Sequence, residues 1–229
     1  MNGQPTLKKL SRDQMAWRVA QSIPDGAYVN LGIGMPEMVA NHIPDDRQIL
    51  FHCENGILGM GPVATPGEED FDLVTAGKKP VTVLPGASFF DSADAFAMIR
   101  GGHLDIAVLG AFQVSASGDL ANWSTGNPET TPAVGGAMDL AQGAREVFVI
   151  TEHTTKDGTA KIIPECTYPL TGAGVVTFVF TDLSVIAITE NGPVAKEMVE
   201  GLSFEDLQAL TGAELTLDEK CKTLKAPSL

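Results

Sequence analysis

The sequence predicts a single-domain α/β protein, built on an open, mixed, mainly parallel sheet with flanking helices. Three observations carry this. Short β-rich apolar runs alternate with stretches of helical periodicity, the pattern of a sheet covered by crossover helices. The 24 glycines and 14 prolines leave the elements short and joined by tight turns. No linker or internal repeat divides the 229 residues, and 44% hydrophobic against 19% charged residues is ample for one sizeable core. The expected organisation is an N-terminal extension over 1–10, the domain over 11–212 and a C-terminal tail over 213–229.

Ser11-Arg12-Asp13-Gln14 reads as a capping box. Met15, Val19 and Ile23 follow at helical spacing, and Pro24-Asp25-Gly26 ends that helix. Tyr28 to Leu31 is a strand that runs into Gly32-Ile33-Gly34. Pro36 suits the first turn of a second helix with Met38, Val39 and Ile43 as its buried stripe. Ile49-Leu50-Phe51 is a strand that delivers Cys53-Glu54-Asn55-Gly56 at its carboxyl end.

Val81 to Leu84 is the next strand, and Asp91 caps a helix through Ala95, Phe96, Met98 and Ile99 that Gly101-Gly102 closes. Asp105 to Leu109, Val147 to Ile150, Val175 to Val179 and Val185 to Ile188 read as buried strands. The second half is richer in strand than in helix, so some pairing there is expected to be antiparallel. A last capped helix spans about Ser203 to Leu210, and the tail beyond Leu217 reads as loosely held.

The formal net charge of -14 argues against nucleic acid and anionic membranes as partners. It still allows an anionic ligand held by local cations and backbone N–H groups. Three cysteines, Cys53, Cys166 and Cys221, form no CxxC pair and fit a reducing compartment better than a disulfide framework. With no secretory pattern and no apolar run of membrane-spanning length, the expected location is cytoplasmic. His42, His52, His103 and His153 lack ligand spacing, so no metal is expected. Gly32-Ile33-Gly34-Met35-Pro36 begins like a dinucleotide loop but lacks the third glycine.

In open α/β sheets ligands bind beyond the carboxyl ends of the strands. Asn30, Glu54 and the Lys78 region all follow strands in that sense. Three glycine-rich segments accompany them, 30–34, 54–62 and 135–140, where backbone N–H groups can approach a ligand closely. Glu54 is the carboxylate that directly follows an apolar strand. A carboxylate is ionised at neutral pH and attacks a thioester without a general base. The amides of Asn55 and Gly56 are candidate donors to a tetrahedral oxyanion. Bland readings stand beside these: Lys78 with Lys79 as a solvated pair, Asn30 as a turn-forming strand end, Gly135-Gly136 as a helix entry.

Cys53-Glu54-Asn55-Gly56-Ile57-Leu58-Gly59 resembles the Glu-Asn-Gly signature of the family I CoA-transferases. Val29 to Pro36, Thr75 to Lys78, Gly101-Gly102-His103, Gly118 to Trp123, Gly135 to Leu140 and Cys166 to Gly172 resemble the same family in the same order. The likeness runs from about Leu7 to Gly212 and is to the B-type subunit, which carries the catalytic glutamate. It implies the CoA-transferase fold, Glu54 as covalent nucleophile, and ping-pong chemistry through a glutamyl-CoA thioester.

The donor it implies is succinyl-CoA. The acceptor is a 3-oxoacid, 3-oxoadipate first, with acetoacetate or another short acid as the alternative. Coenzyme A thioesters are then substrates, with no permanently bound cofactor. Asn30 and Lys78, with Gly32, Gly34, Asn55 and Gly56, are implied in the CoA or acyl pocket, and Gly135, Gly136 and Ala137 at the thioester end. Nothing resembles the other half of the family's site, so a separate A-type CoA-transferase subunit is implied as partner, in a heterotetramer of two chains of each kind. A reading of another class is a non-catalytic subunit that binds acyl-CoA or a sugar phosphate.

The family's usual serine before the glutamate is Cys53 here. A nucleophilic thiol would need a base such as His52 or His42, but His52 and Cys53 are consecutive in a strand and face opposite sides. Cys53 is therefore read as a small, partly buried replacement for serine. Asp119 to Trp123 has an amphipathic look suited to an interface.

Overall fold

In the computed structural model, which describes residues 8–129, 131–132 and 134–229, the Ser11 hydroxyl accepts from the Gln14 N–H and the Gln14 side chain accepts from the Ser11 N–H. This reciprocal cap starts α1 (Arg12–Ala20), whose Met15, Ala16, Val19 and Ala20 are buried. After β1 (Tyr28–Leu31) the second helix forms, but as a 3-10 helix, Pro36–His42, rather than an α-helix. Its buried residues, Pro36 and Val39, are three apart, the 3-10 repeat, while Met38 and Ile43 are only half-buried.

The chain continues through β2 (Leu50–Cys53), β3 (Ile57–Val63), β4 (Val81–Phe89), α2 (Ser92–Arg100) and β5 (Ile106–Leu109). Then come β6 (Gln113–Ser115), β7 (Leu120–Ala121), α3 (Ala137–Gly143), β8 (Glu146–Ile150) and β9 (Ile162–Ile163). It ends with β10 (Val176–Phe180), β11 (Ser184–Thr189), β12 (Gly192–Val199), α4 (Phe204–Ala209) and β13 (Thr216–Leu224).

Ten strands form one sheet in the order β13-β12-β11-β10-β8-β5-β1-β2-β3-β4, and β7-β6-β9 form a small second sheet. The centre, from β10 through β8, β5 and β1 to β2, is parallel. All four residues of β5 are buried, as expected for a strand covered on both faces. Antiparallel pairs flank this block, β10 with β11 and β11 with β12 on one side, β2 with β3 and β3 with β4 on the other. The helix α1 packs over β8 and β10, while α2 packs on α3 and α3 on β5.

Three further expectations change. β3 occupies a stretch that reads as a glycine-rich loop. β12 lies where the sequence pattern predicts no strand. The tail beyond Leu217 is not loose: β13 pairs in parallel with β12, and Leu224 is buried. Of the N-terminal extension, 1–7 lie outside the described residues; Lys9 and Leu10 are tied to Asp182. Across the sheet, Arg18 of α1 makes a two-pronged ion pair with Glu197 of β12, at 2.8 and 2.7 Å, and lies over the Phe180 ring.

Candidate active site

β1 and β2 are parallel neighbours with Asn30 opposite His52, so the residues that follow them emerge at one sheet edge. Glu54 lies two residues past His52, directly after β2. Asn30 is fully buried, and its Nδ2 donates to Glu54 Oε2 at 3.1 Å and to the His52 carbonyl at 3.1 Å. The same nitrogen lies 3.1 Å from His52 Nδ1. Burial pushes the His52 pKa below its ordinary value, against the pull of the Glu54 carboxylate. The ring stacks on Phe90, and Asn30 Oδ1 and His52 Nε2 are buried without a hydrogen-bond partner.

The chain reverses immediately after Glu54. The Gly56 N–H donates to the Cys53 carbonyl at 2.9 Å, and the Gly56 carbonyl accepts from Phe90 N–H. Gly56 has φ +111°, and a Cβ there would stand 1.9 Å from the Phe90 carbonyl oxygen, so only glycine fits. Its amide is committed to this turn, which corrects the expectation that it serves an oxyanion. Asn55 turns its side-chain amide to the Val74 carbonyl at 2.7 Å. Cys53 is buried, with Sγ accepting from the Ala76 N–H at 3.2 Å. Burial raises its thiol pKa, so the group is a neutral packing element.

Glu37 organises the loops beside the hairpin. Its carboxylate accepts from Gly34 N–H, from the Thr75 hydroxyl and from Lys79 Nζ, at 3.1, 3.2 and 2.8 Å. Lys78 sits at φ +62° in the tight turn this network holds, with its N–H donating to the Thr75 carbonyl. Its side chain is exposed and does not line the Glu54 cleft; neither do Gly34, Asn55 and Gly56.

That cleft, about 470 Å³, brings together Glu54, Gly32, Gly135, Gly136 and Ala137 at the carboxyl ends of the central strands. Gly136 caps α3, and a Cβ added to it would lie 3.9 Å from Glu54 Oε1, so the glycine entry passes directly against the carboxylate. The far wall holds Thr151 and Lys161, which the sequence does not single out. An isolated lysine ahead of a two-residue strand carries no signal of its own. In the 119–123 segment Asp119, Asn122 and Trp123 are half-buried. Leu120 and Ala121 are buried in β7, Asn122 reaches the cleft wall, and the Trp123 indole donates to the Leu170 carbonyl.

The family model described as Coenzyme A transferase matches residues 12–209. The chain belongs to the coenzyme A transferase family. As a CoA-transferase it is 59% identical over 208 residues to the B-type subunit of the 3-oxoadipate CoA-transferase of Pseudomonas putida, a match covering 91% of this chain and 97% of that one. It is 48% identical over 203 residues to the B-type subunit of the succinyl-CoA:3-ketoacid coenzyme A transferase of Helicobacter pylori, covering 89% of this chain and 97% of that one. Among solved structures, the acyl-CoA transferase YdiF of Escherichia coli O157:H7 shares the fold, with a TM-score of 0.74 and 18% identity over 96% of this chain. This chain spans 44% of that longer one.

Among the described residues of this CoA-transferase, no group of three or more His, Cys, Asp or Glu could hold a metal ion. No helix of the described residues is long and apolar enough to cross a membrane.

Proposed function

We propose that this chain is the catalytic-glutamate subunit of a CoA-transferase that moves CoA from succinyl-CoA to 3-oxoadipate. The observation that carries this reading is the Asn30–Glu54 hydrogen bond at the mouth of a glycine-walled cleft. A carboxylate that accepts one fixed amide keeps its second oxygen free, and here Oε1 is the atom nearer Gly136. The choice of acceptor is supported by the higher identity, 59% against 48%, to the relative named for 3-oxoadipate.

Glu54 attacks the thioester carbonyl of succinyl-CoA, the C–S bond breaks, and CoA leaves as thiolate from an acyl–glutamyl anhydride. The thiolate then attacks the Glu54 carbonyl carbon, succinate departs, and a glutamyl-CoA thioester remains. The acceptor carboxylate reverses the two steps, releasing its CoA thioester and restoring the glutamate. No proton is consumed in either half. Contacts along the CoA arm, remote from the reacting carbonyl, supply binding energy that lowers these barriers.

Asn30 orients the nucleophile, and Gly32, Gly135, Gly136 and Ala137 admit the thioester close to backbone. The cleft is completed by an A-type partner chain, in a cytoplasmic heterotetramer of two chains of each kind. No metal and no permanently bound cofactor takes part.

The test is covalent. The complex of both chains, incubated with succinyl-CoA, gains the mass of a CoA adduct on the peptide containing Glu54. Borohydride then reduces the adduct and abolishes activity. Glu54→Gln prevents the adduct. Unchanged turnover in Glu54→Ala refutes the proposal.

A further inference from the structure

Lys161 is held in the Glu54 cleft from three sides. Its carbonyl accepts from the Val114 N–H, its N–H donates to the His153 carbonyl, and its Nζ donates to Thr151 Oγ1 at 2.9 Å. The Thr151 hydroxyl is buried and donates in turn to the Ala111 carbonyl, beyond the end of β5. Lys161 is the one cation among the described residues that line this cleft, and it makes no ion pair there. Glu152, which lines the same cleft and attracts Lys161, gives Oε1 to Nε and Nη2 of Arg12 at 3.0 and 2.7 Å. Asp182, which also attracts Lys161, is paired with Lys9 at 3.1 Å. Partial burial lowers the ammonium pKa, against the pull of the Glu152 and Asp182 carboxylates.

The position has a matching geometry. Thr151 directly follows β8 and Glu54 directly follows β2. In the order β8-β5-β1-β2 they are three strand spacings apart, ~14 Å at the backbone. Both functional groups lean inward, Glu54 onto Asn30 of β1 and Lys161 onto Thr151 toward the end of β5. A dicarboxylate entering an acidic protein of net charge -14 also needs one local cation.

We propose that Lys161 is the specificity-determining residue of this chain, binding the distal carboxylate of a short dicarboxylic acyl group whose reacting carbonyl is presented to Glu54. This rests on the reading of Glu54 as nucleophile. The anchor is assigned to the acceptor half of the reaction, where it takes the distal carboxylate of 3-oxoadipate.

The test compares two acceptors on one carbon skeleton: 3-oxoadipate, and 3-oxohexanoate, which has a methyl group in place of the distal carboxylate. In the complex of both chains, Lys161→Met is expected to lower the ratio of their kcat/KM values by about 10- to 100-fold, the loss of one charge-assisted hydrogen bond. Lys161→Arg keeps most of the ratio, because the charge remains. Thr151→Val, which removes the hydroxyl that holds the ammonium, lowers the ratio less, and it serves as the readout if Lys161→Met folds poorly. A ratio unchanged in both Lys161→Met and Thr151→Val overturns the proposal. The CoA adduct on wild-type Glu54 is read separately by mass: its absence defeats the nucleophile reading, whereas its presence with an unchanged ratio defeats this one alone.

Discussion

Asn30 on β1 and Glu54 just past the end of the neighbouring parallel strand β2 share one hydrogen bond, from Nδ2 to Oε2 at 3.1 Å. The bond is possible because Asn30 is wholly buried and the same amide also satisfies the His52 carbonyl. The carboxamide is thus fixed before any ligand arrives, and the carboxylate inherits its orientation. Asn30→Ala is expected to slow adduct formation on Glu54 by about 10- to 100-fold, the value of a hydrogen bond to a charged group. Asn30→Asp does more damage, because it sets a second carboxylate beside the first and raises the pKa of the pair. Stopped-flow rates with succinyl-CoA check both, and an Asn30→Asp rate within threefold of wild type removes the bond from the mechanism.

Cys53 is expected to be inert. Its thiol is buried, accepts the Ala76 N–H and has a raised pKa. Cys53→Ser should leave kcat within several-fold of wild type, and iodoacetamide at pH 7.5 should leave the native thiol unmodified. Peptide mapping reads the second outcome; rapid labelling with loss of activity would point to a thiolate instead.

Stability should fall in mild acid. His153 is fully buried between the Thr181 and Thr211 hydroxyls, with Asp182 and Lys9 as the nearest charges, and burial lowers its pKa to about 4. The unfolded chain, with an ordinary value near 6.5, binds more protons between those limits. The contribution is complete above about pH 6.5 and is lost as pH falls toward 4, for a total of about 3 kcal/mol. His52 is shifted in the same direction. Urea unfolding at pH 7 and pH 4.5 measures the slope, and His153→Gln should flatten it.

Gly56→Ala should destabilise by at least about 3 kcal/mol, from a left-handed backbone and a clash with the Phe90 carbonyl. Gly110→Ala, where an added Cβ meets nothing within 4 Å, is the control for folding and should stay within about 1 kcal/mol. Denaturant midpoints of the two variants decide it.

Arg18→Met breaks the half-buried pair with Glu197 and should cost about 2 kcal/mol, between the exposed and buried limits. Arg18→Met combined with Glu197→Leu should recover part of that loss. A double-mutant cycle by thermal unfolding measures the coupling.

The features legible in the sequence are local ones. The capping box of α1 needs only Ser11 and Gln14, and the Asp91 cap of α2 needs only its own first turn. The parallel central strands announce themselves as apolar runs because they are buried on both faces. β3 is hidden because Gly59, Gly61 and Pro62 break its alternation, and its place comes from pairing with β2 and β4. β13 has a polar sequence that reads as a tail, and its pairing with β12 supplies the order. The site divides in the same way. Glu54 and Asn30 are visible at strand ends, and the family resemblance points to the glycine entry at 135–137. Lys161 reaches the cleft only because β9 pairs with β6, a contact far apart in the chain.

The hairpin that carries Glu54 also fixes a length. Between Cys53 and Ile57, which face each other across β2 and β3, the chain has only Glu54, Asn55 and Gly56. Because strand side chains alternate, one extra residue would turn every later side chain of β3 to the opposite face unless the pairing re-formed. An insertion at this corner therefore has to be absorbed within the turn itself if β3 is to keep its inward face.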